Sequence, residues 1–187
     1  RDGRYFVVGH QCSNHLVFDE NGQLIADIGP HCEYPHFALF DYENAHLLAS
    51  SCHLYNGETI SVPVESLEGL KTSPYEDDER ILLCSGGERV YAAVARPGEF
   101  IVGDAYGYVR AYGQDGKLVW QHFMGATISG MDISADGKTL VIASYAGIVA
   151  LIDLDTGAAD PFQIGTATHR ERFRWLFWKK EESPLLW

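Results

Sequence analysis

Residues 1–29, RDGRYFVVGHQCSNHLVFDENGQLIADIG, and residues 135–165, ADGKTLVIASYAGIVALIDLDTGAADPFQIG, are two copies of one pattern. Asp2 and Gly3 fall on Asp136 and Gly137, the apolar run 5–8 on 139–142, and Asp19 on Asp153, all at one offset. The turns Asp-Glu-Asn-Gly and Asp-Leu-Asp-Thr-Gly then differ by one residue, and both copies finish on Ile-Gly. A third copy, RPGEFIVGDAYGYVRAYGQDGKLVW at 96–120, follows with a single shift. Three copies of a short unit restrict the fold strongly, because such a unit buries its apolar face only by stacking on its neighbours.

Each copy reads as strand, short turn, strand, Asp/Asn-Gly turn, strand, since its apolar and β-branched runs are short and bounded by Gly, Asn and Asp. Nothing between the copies keeps a helical period. A further apolar strand precedes two of them, at 90–95 and 128–133. That makes four consecutive antiparallel strands in roughly forty residues, the size of one propeller blade. On these residues, ISADGKTLVIASYAGIVALIDLDTG at 133–157 and YVRAYGQDGKLVW at 108–120, the chain resembles the WD40 and quinoprotein-like β-propeller repeats. The resemblance implies an all-β fold, a β-propeller of about four blades in a single domain over 1–187. In the quinoprotein group the feature Gly-Lys-x-x-Trp, here Gly116, Lys117 and Trp120, packs blade against blade and binds no quinone. No cofactor is therefore expected.

The expected blade segments are 1–29 together with 169–178, then 36–64, 81–123 and 127–164. The first has three strands and lacks an inner one. The tail HRERFRWLFW at 169–178 alternates Phe173, Trp175 and Phe177 on one face and supplies a candidate for it. Two arrangements account for this. Either the C-terminal strand closes a small ring and so protects its sheet edges, or the chain is half of a seven-bladed or eight-bladed ring whose remainder lies elsewhere. The opening Arg in place of Met points to the second, the complementary strand count to the first. The segment 67–80, LEGLKTSPYEDDER, is expected to be an exposed loop between the second and third blades.

Composition narrows function more than fold. The chain is 46% hydrophobic and 12% aromatic, enough for a full core. Against 14 basic residues stand 26 acidic ones, a formal charge of −12, which disfavours nucleic acid and anionic membranes and favours basic partners. No apolar run approaches the length of a membrane-spanning helix, and the first residues do not read as a signal peptide. The four cysteines are sparse for a disulfide scaffold, so reduced thiols in a cytoplasmic protein are expected.

Two kinds of chemistry have candidate residues here. His10, Cys12, His15, His31, Cys32, His36, Cys52 and His53 have the atoms zinc needs, but their spacings match no common zinc motif, and buried Cys and bonded His explain them as well. Ser85 and Ser129 stand near glycines but not in a nucleophile elbow. No catalytic or metal residue is assigned. The partner-binding candidates are the acidic run Glu76, Asp77, Asp78 and Glu79, and Trp178 beside Lys179 and Lys180. The expected function is a noncatalytic module that binds a basic protein, in one version a bacterial immunity protein masking a basic toxin. The competing expectation is a metal-dependent, lactonase-like or hydrolase-like propeller enzyme.

Overall fold

A computed structural model of the chain describes residues 3–9, 11–157 and 169–186. The described residues form seventeen strands and one 3-10 turn, Val64–Ser66, with no α-helix among them. Chain order gives β1 (Tyr5–Val8), β2 (His15–Asp19), β3 (Leu24–Ile28), β4 (Tyr34–Phe40), β5 (His46–His53) and β6 (Asn56–Pro63). Next come β7 (Leu70–Lys71), β8 (Leu82–Gly86), β9 (Val90–Arg96), β10 (Glu99–Asp104), β11 (Tyr108–Gly113) and β12 (Leu118–Phe123). The last are β13 (Ile128–Ile133), β14 (Thr139–Ser144), β15 (Ile148–Asp153), β16 (Arg170–Leu176) and β17 (Leu185–Leu186).

These strands make four open sheets, I with order β1-β2-β3-β7, II with β4-β5-β6-β8, III with β9 to β12, and IV with β13 to β17. Every pairing is antiparallel except β3 with β7. The repeat seen in the sequence is a repeat of backbone: Gly3, Gly98 and Gly137 open equivalent strands with φ of 76°, 81° and 71°. That left-handed turn is accessible to Gly at little steric cost, which is why a Gly recurs there.

The sheets stack in chain order because each carries two kinds of cross-strand pair on opposite faces. On one face stand Phe6 with Phe18 in I, Leu47 with Val62 in II, Phe100 with Tyr112 in III and Leu140 with Ile152 in IV. On the other stand Val7 with Val17, Leu48 with Ser61, Ile101 with Ala111 and Val141 with Leu151. Each join sets the second kind of pair against the first kind on the next sheet. Val7 and Val17 meet Leu47 and Val62, Leu48 meets Phe100 and Tyr112, and Ile101 and Ala111 meet Leu140 and Ile152. Three cores thus join I to II, II to III and III to IV. Among the described residues no core joins IV to I, and Phe6 and Val8 stay 46% and 47% exposed where Leu140 and Ile142 are fully buried.

Three expectations need correction. The C-terminal strand does not complete the first sheet: β16 lies along β15, with Phe173 opposite Leu151 and Trp175 opposite Val149. The physical reason is visible on its inner face, where Arg174 bonds the Met124 carbonyl and Glu171 meets buried His122 at 2.7 Å. Burial opposes ionisation of Glu171, but the bonds from His122 and Arg174 outweigh it and hold the carboxyl below its usual range. Next, residues 82–86 belong to sheet II as its outer strand, so sheet III begins at Val90. Finally, the segment 67–80 is more than a loop. It buries Leu67, Leu70 and Thr72 and lends β7 to the edge of sheet I before returning to sheet II. The end expected for the fourth segment, 158–164, lies outside the described residues.

Candidate interaction surface

Strand direction gives the molecule two ends. The hairpins β5–β6, β10–β11 and β14–β15, the β1–β2 connection and the loop after β16 lie at one, here the hairpin end. The tight turns β2–β3, β4–β5, β9–β10, β11–β12 and β13–β14 lie at the other, the turn end.

At the turn end, aspartates serve the backbone. Asp19 Oδ1 accepts from the N–H groups of Asn21 and Gln23, Asp41 Oδ1 from Ala45, Asp115 Oδ1 from Lys117, and Asp136 Oδ1 from Lys138. Short Asp side chains close turns in this way because their oxygens reach donors two to four residues on. The Gln23 N–H for Asp19, the Lys117 ammonium for Asp115 and the Ser134 hydroxyl for Asp136, each followed by further bonds to their carboxylates, hold these carboxyls below their ordinary range. Four of the 26 acidic residues are therefore committed to local structure at this end.

The hairpin end is built differently. Each hairpin tip there points a large apolar or aromatic side chain at solvent: Leu54 and Tyr55, Tyr106, Tyr145, and Phe177 with Trp178 are all more than half exposed. The tips are tied to one another underneath. Arg89 donates to the Leu54 carbonyl at 3.0 Å and to His36 Nε2 at 3.2 Å, and its guanidinium lies 4.6 Å from the Tyr91 ring centroid. Tyr91 in turn meets Tyr145 edge-on at 6.0 Å, and the Tyr106 hydroxyl donates to Asn56 at 3.1 Å. The Phe177 N–H donates to Gly147. Burial, and then the neighbouring Arg89 charge, lower the pKa of His36, so it accepts from Arg89 as the neutral ring.

Both parts of the expected binding set bear on this end. Thr72 Oγ1 accepts the Gly29 N–H at 2.9 Å, and Tyr75 N–H donates to Pro30, fastening the segment 72–75 to the hairpin end of sheet I. A Cβ on Gly29 would overlap the Ser73 carbonyl, so only Gly permits this approach. From there the acidic run departs. Glu76 Oε2 accepts the Ser73 N–H at 2.6 Å, and Asp78 binds the Arg80 guanidinium, which holds its carboxyl down at about 2. Asp77 and Glu79 remain exposed. Trp178 is 61% exposed. It does not lie within the strand expected over 169–178, because β16 ends at Leu176 and Trp178 opens the loop to β17. With Lys179, Lys180, Pro184 and Leu185 it lines a groove of ≈ 670 Å³. No hydrogen bond, ion pair or ring contact joins the acidic run to Trp178 among the described residues, since they sit on the first and last sheets. The Tyr tips escaped the sequence reading, although the recurring Tyr in HLYNG, DAYGY and SYAGI was their signal.

The His and Cys candidates scatter. His10 lies outside the described residues. His15 is buried, and burial, followed by the charge of His31, pushes its pKa down to about 4. It lines a cavity of ≈ 180 Å³ with Val7, Gly9, Pro35 and His36. Cys32, Cys52 and Cys84 are free thiols, and burial with the Asp115 charge raises Cys84 to about 12. Among the described residues no three His, Cys, Asp or Glu side chains are arranged to hold a metal ion. Ser85 donates to Glu88 Oε2 at 2.6 Å, and Ser129 lies exposed on β13. No helix among the described residues is long and apolar enough to cross a membrane. No protein-family model matches the chain, and a search of curated proteins finds no significant match.

Proposed function

We propose that this chain is a noncatalytic β-propeller-type interaction module whose hairpin end binds a basic protein. The observation that carries the reading is the gathering of Tyr55, Tyr106, Tyr145, Phe177 and Trp178, each more than half exposed, at the end from which the acidic run departs after its preceding segment is fastened there. Exposed Tyr and Trp on rigid hairpins are the side chains that dominate protein interfaces, because they bury much area at little entropic cost. Their ring faces also attract Lys and Arg, and Asp77 and Glu79 with the net charge of −12 steer such partners. A toxin-neutralising immunity protein is the narrower form of this reading.

The test is fluorescence anisotropy of a dye-labelled oligo-arginine peptide titrated with the chain at low and high salt. Binding is expected to weaken about tenfold or more between 50 and 500 mM salt, and to weaken again in Trp178→Ala and Tyr145→Ala. Absent binding, or binding indifferent to both salt and these substitutions, would refute the proposal.

A further inference from the structure

Each internal join sets a pair of one kind on one sheet against a pair of the other kind on the next. Among the described residues, the matching halves at the two ends of the stack are left over. Sheet IV presents Val141, 36% exposed, with half-buried Leu151 opposite it. The same face continues through Val149, Phe173 and Trp175, the last two in ring contact at 4.2 Å. Sheet I presents Phe6 and Val8, nearly half exposed, with Phe6 stacked on Phe18 at 5.2 Å. Their equivalents Leu47, Phe100 and Leu140 are fully buried. The two free faces are therefore the donor and acceptor halves of a join this chain already makes three times.

We propose that a second copy of this chain supplies the missing half at each end, sheet IV of one copy packing on sheet I of the other. The association is head to tail, and two copies of four sheets return to their starting point as a ring of eight. Eight sheets lie within the range in which radially stacked sheets close, and a heterologous contact that closes makes a finite assembly. This inference goes beyond the proposed function and depends on apolar joins alone. Its salt dependence has the opposite sign: screening reduces repulsion between two chains of charge −12 and strengthens the pairing.

Sedimentation velocity and native mass spectrometry of the full chain at low and high salt test it. The expected species has twice the 20.8 kDa chain mass and is more populated at high salt. Phe6→Asp and Val141→Asp each act at a partly exposed position and so spare the fold, checked by circular dichroism. Each alone should abolish the dimer, while an equimolar mixture of the two should recover a dimer, since one intact join remains between them. A monomer at every concentration, a dimer that survives Val141→Asp, or assemblies larger than two would overturn the proposal. Oligo-arginine binding by the monomeric variants would show that the failure or success of this join is separate from that of the hairpin-end site.

Discussion

The turn end and the hairpin end are made of the same strands, yet they spend their side chains in opposite ways. At the turn end Asp19, Asp41, Asp115 and Asp136 fold back onto local backbone donors. At the hairpin end Tyr55, Tyr106 and Tyr145 point outward while Arg89 and Asn56 hold the tips from below. One end therefore commits its side chains to closing turns, and the other leaves aromatic area exposed. The contrast teaches that a repeat can fix its backbone with one set of positions and leave the other exposed, as the proposed binding requires.

Acid should separate the two ends first. Because the folded pKa of His15 is about 4 against 6.5 when unfolded, the unfolded chain takes up its proton before the folded one does. Stability should thus be intact above pH 6.5 and fall by about 3 kcal/mol as pH drops towards 4, with His36 adding in the same direction. Asp19, Asp115 and Asp136, held below their usual range, should lose their contribution only below about pH 4. Hydrogen exchange at pH 4.5 is expected to show the amides around His15 and His36, at the hairpin end of β2 and β4, opening before those of the turn end. Uniform opening would erase the distinction.

A substitution within the turn end is next in size. Asp41 is 3% exposed and also receives Gln114 Nε2 at 3.1 Å. Asp41→Ala should cost about 1–3 kcal/mol by urea unfolding, since it orphans buried donors, with no change in oligo-arginine affinity beyond that expected from one charge. At the hairpin end the balance should reverse. Tyr55→Ala and Tyr145→Ala are expected to change stability by less than about 0.5 kcal/mol and to weaken binding about fivefold or more. The smallest effect should come from Glu79→Gln, an exposed charge, with stability within about 0.5 kcal/mol of the parent and a slower association rate at low salt.

The repeat itself was legible because its turns demand particular residues, so Gly3, Gly98 and Gly137 marked equivalent strands before any coordinates. What the residues could not announce was which neighbour a strand would choose. The run 170–176 suits any free edge, and it took the edge of β15 because Arg174 and Glu171 find partners in Met124 and His122 of sheet III. Leu70 and Lys71 were hidden by length, since a two-residue strand has no period to detect. Of the candidate site, Trp178 and the acidic run were visible as isolated features. The anchoring of the segment just before the acidic run was not, because it depends on Thr72 reaching back across the chain to Gly29.

The detour of the chain through β7 has a kinetic meaning. Sheet I is finished by residues that emerge only after three strands of sheet II, and sheet II is finished only when β8 follows. During synthesis neither sheet can mature alone, so the first two should become protease-resistant together, in one step, once residue 86 has cleared the ribosome. Their long-range pairing should also make that step slow beside the successive closure of sheets III and IV.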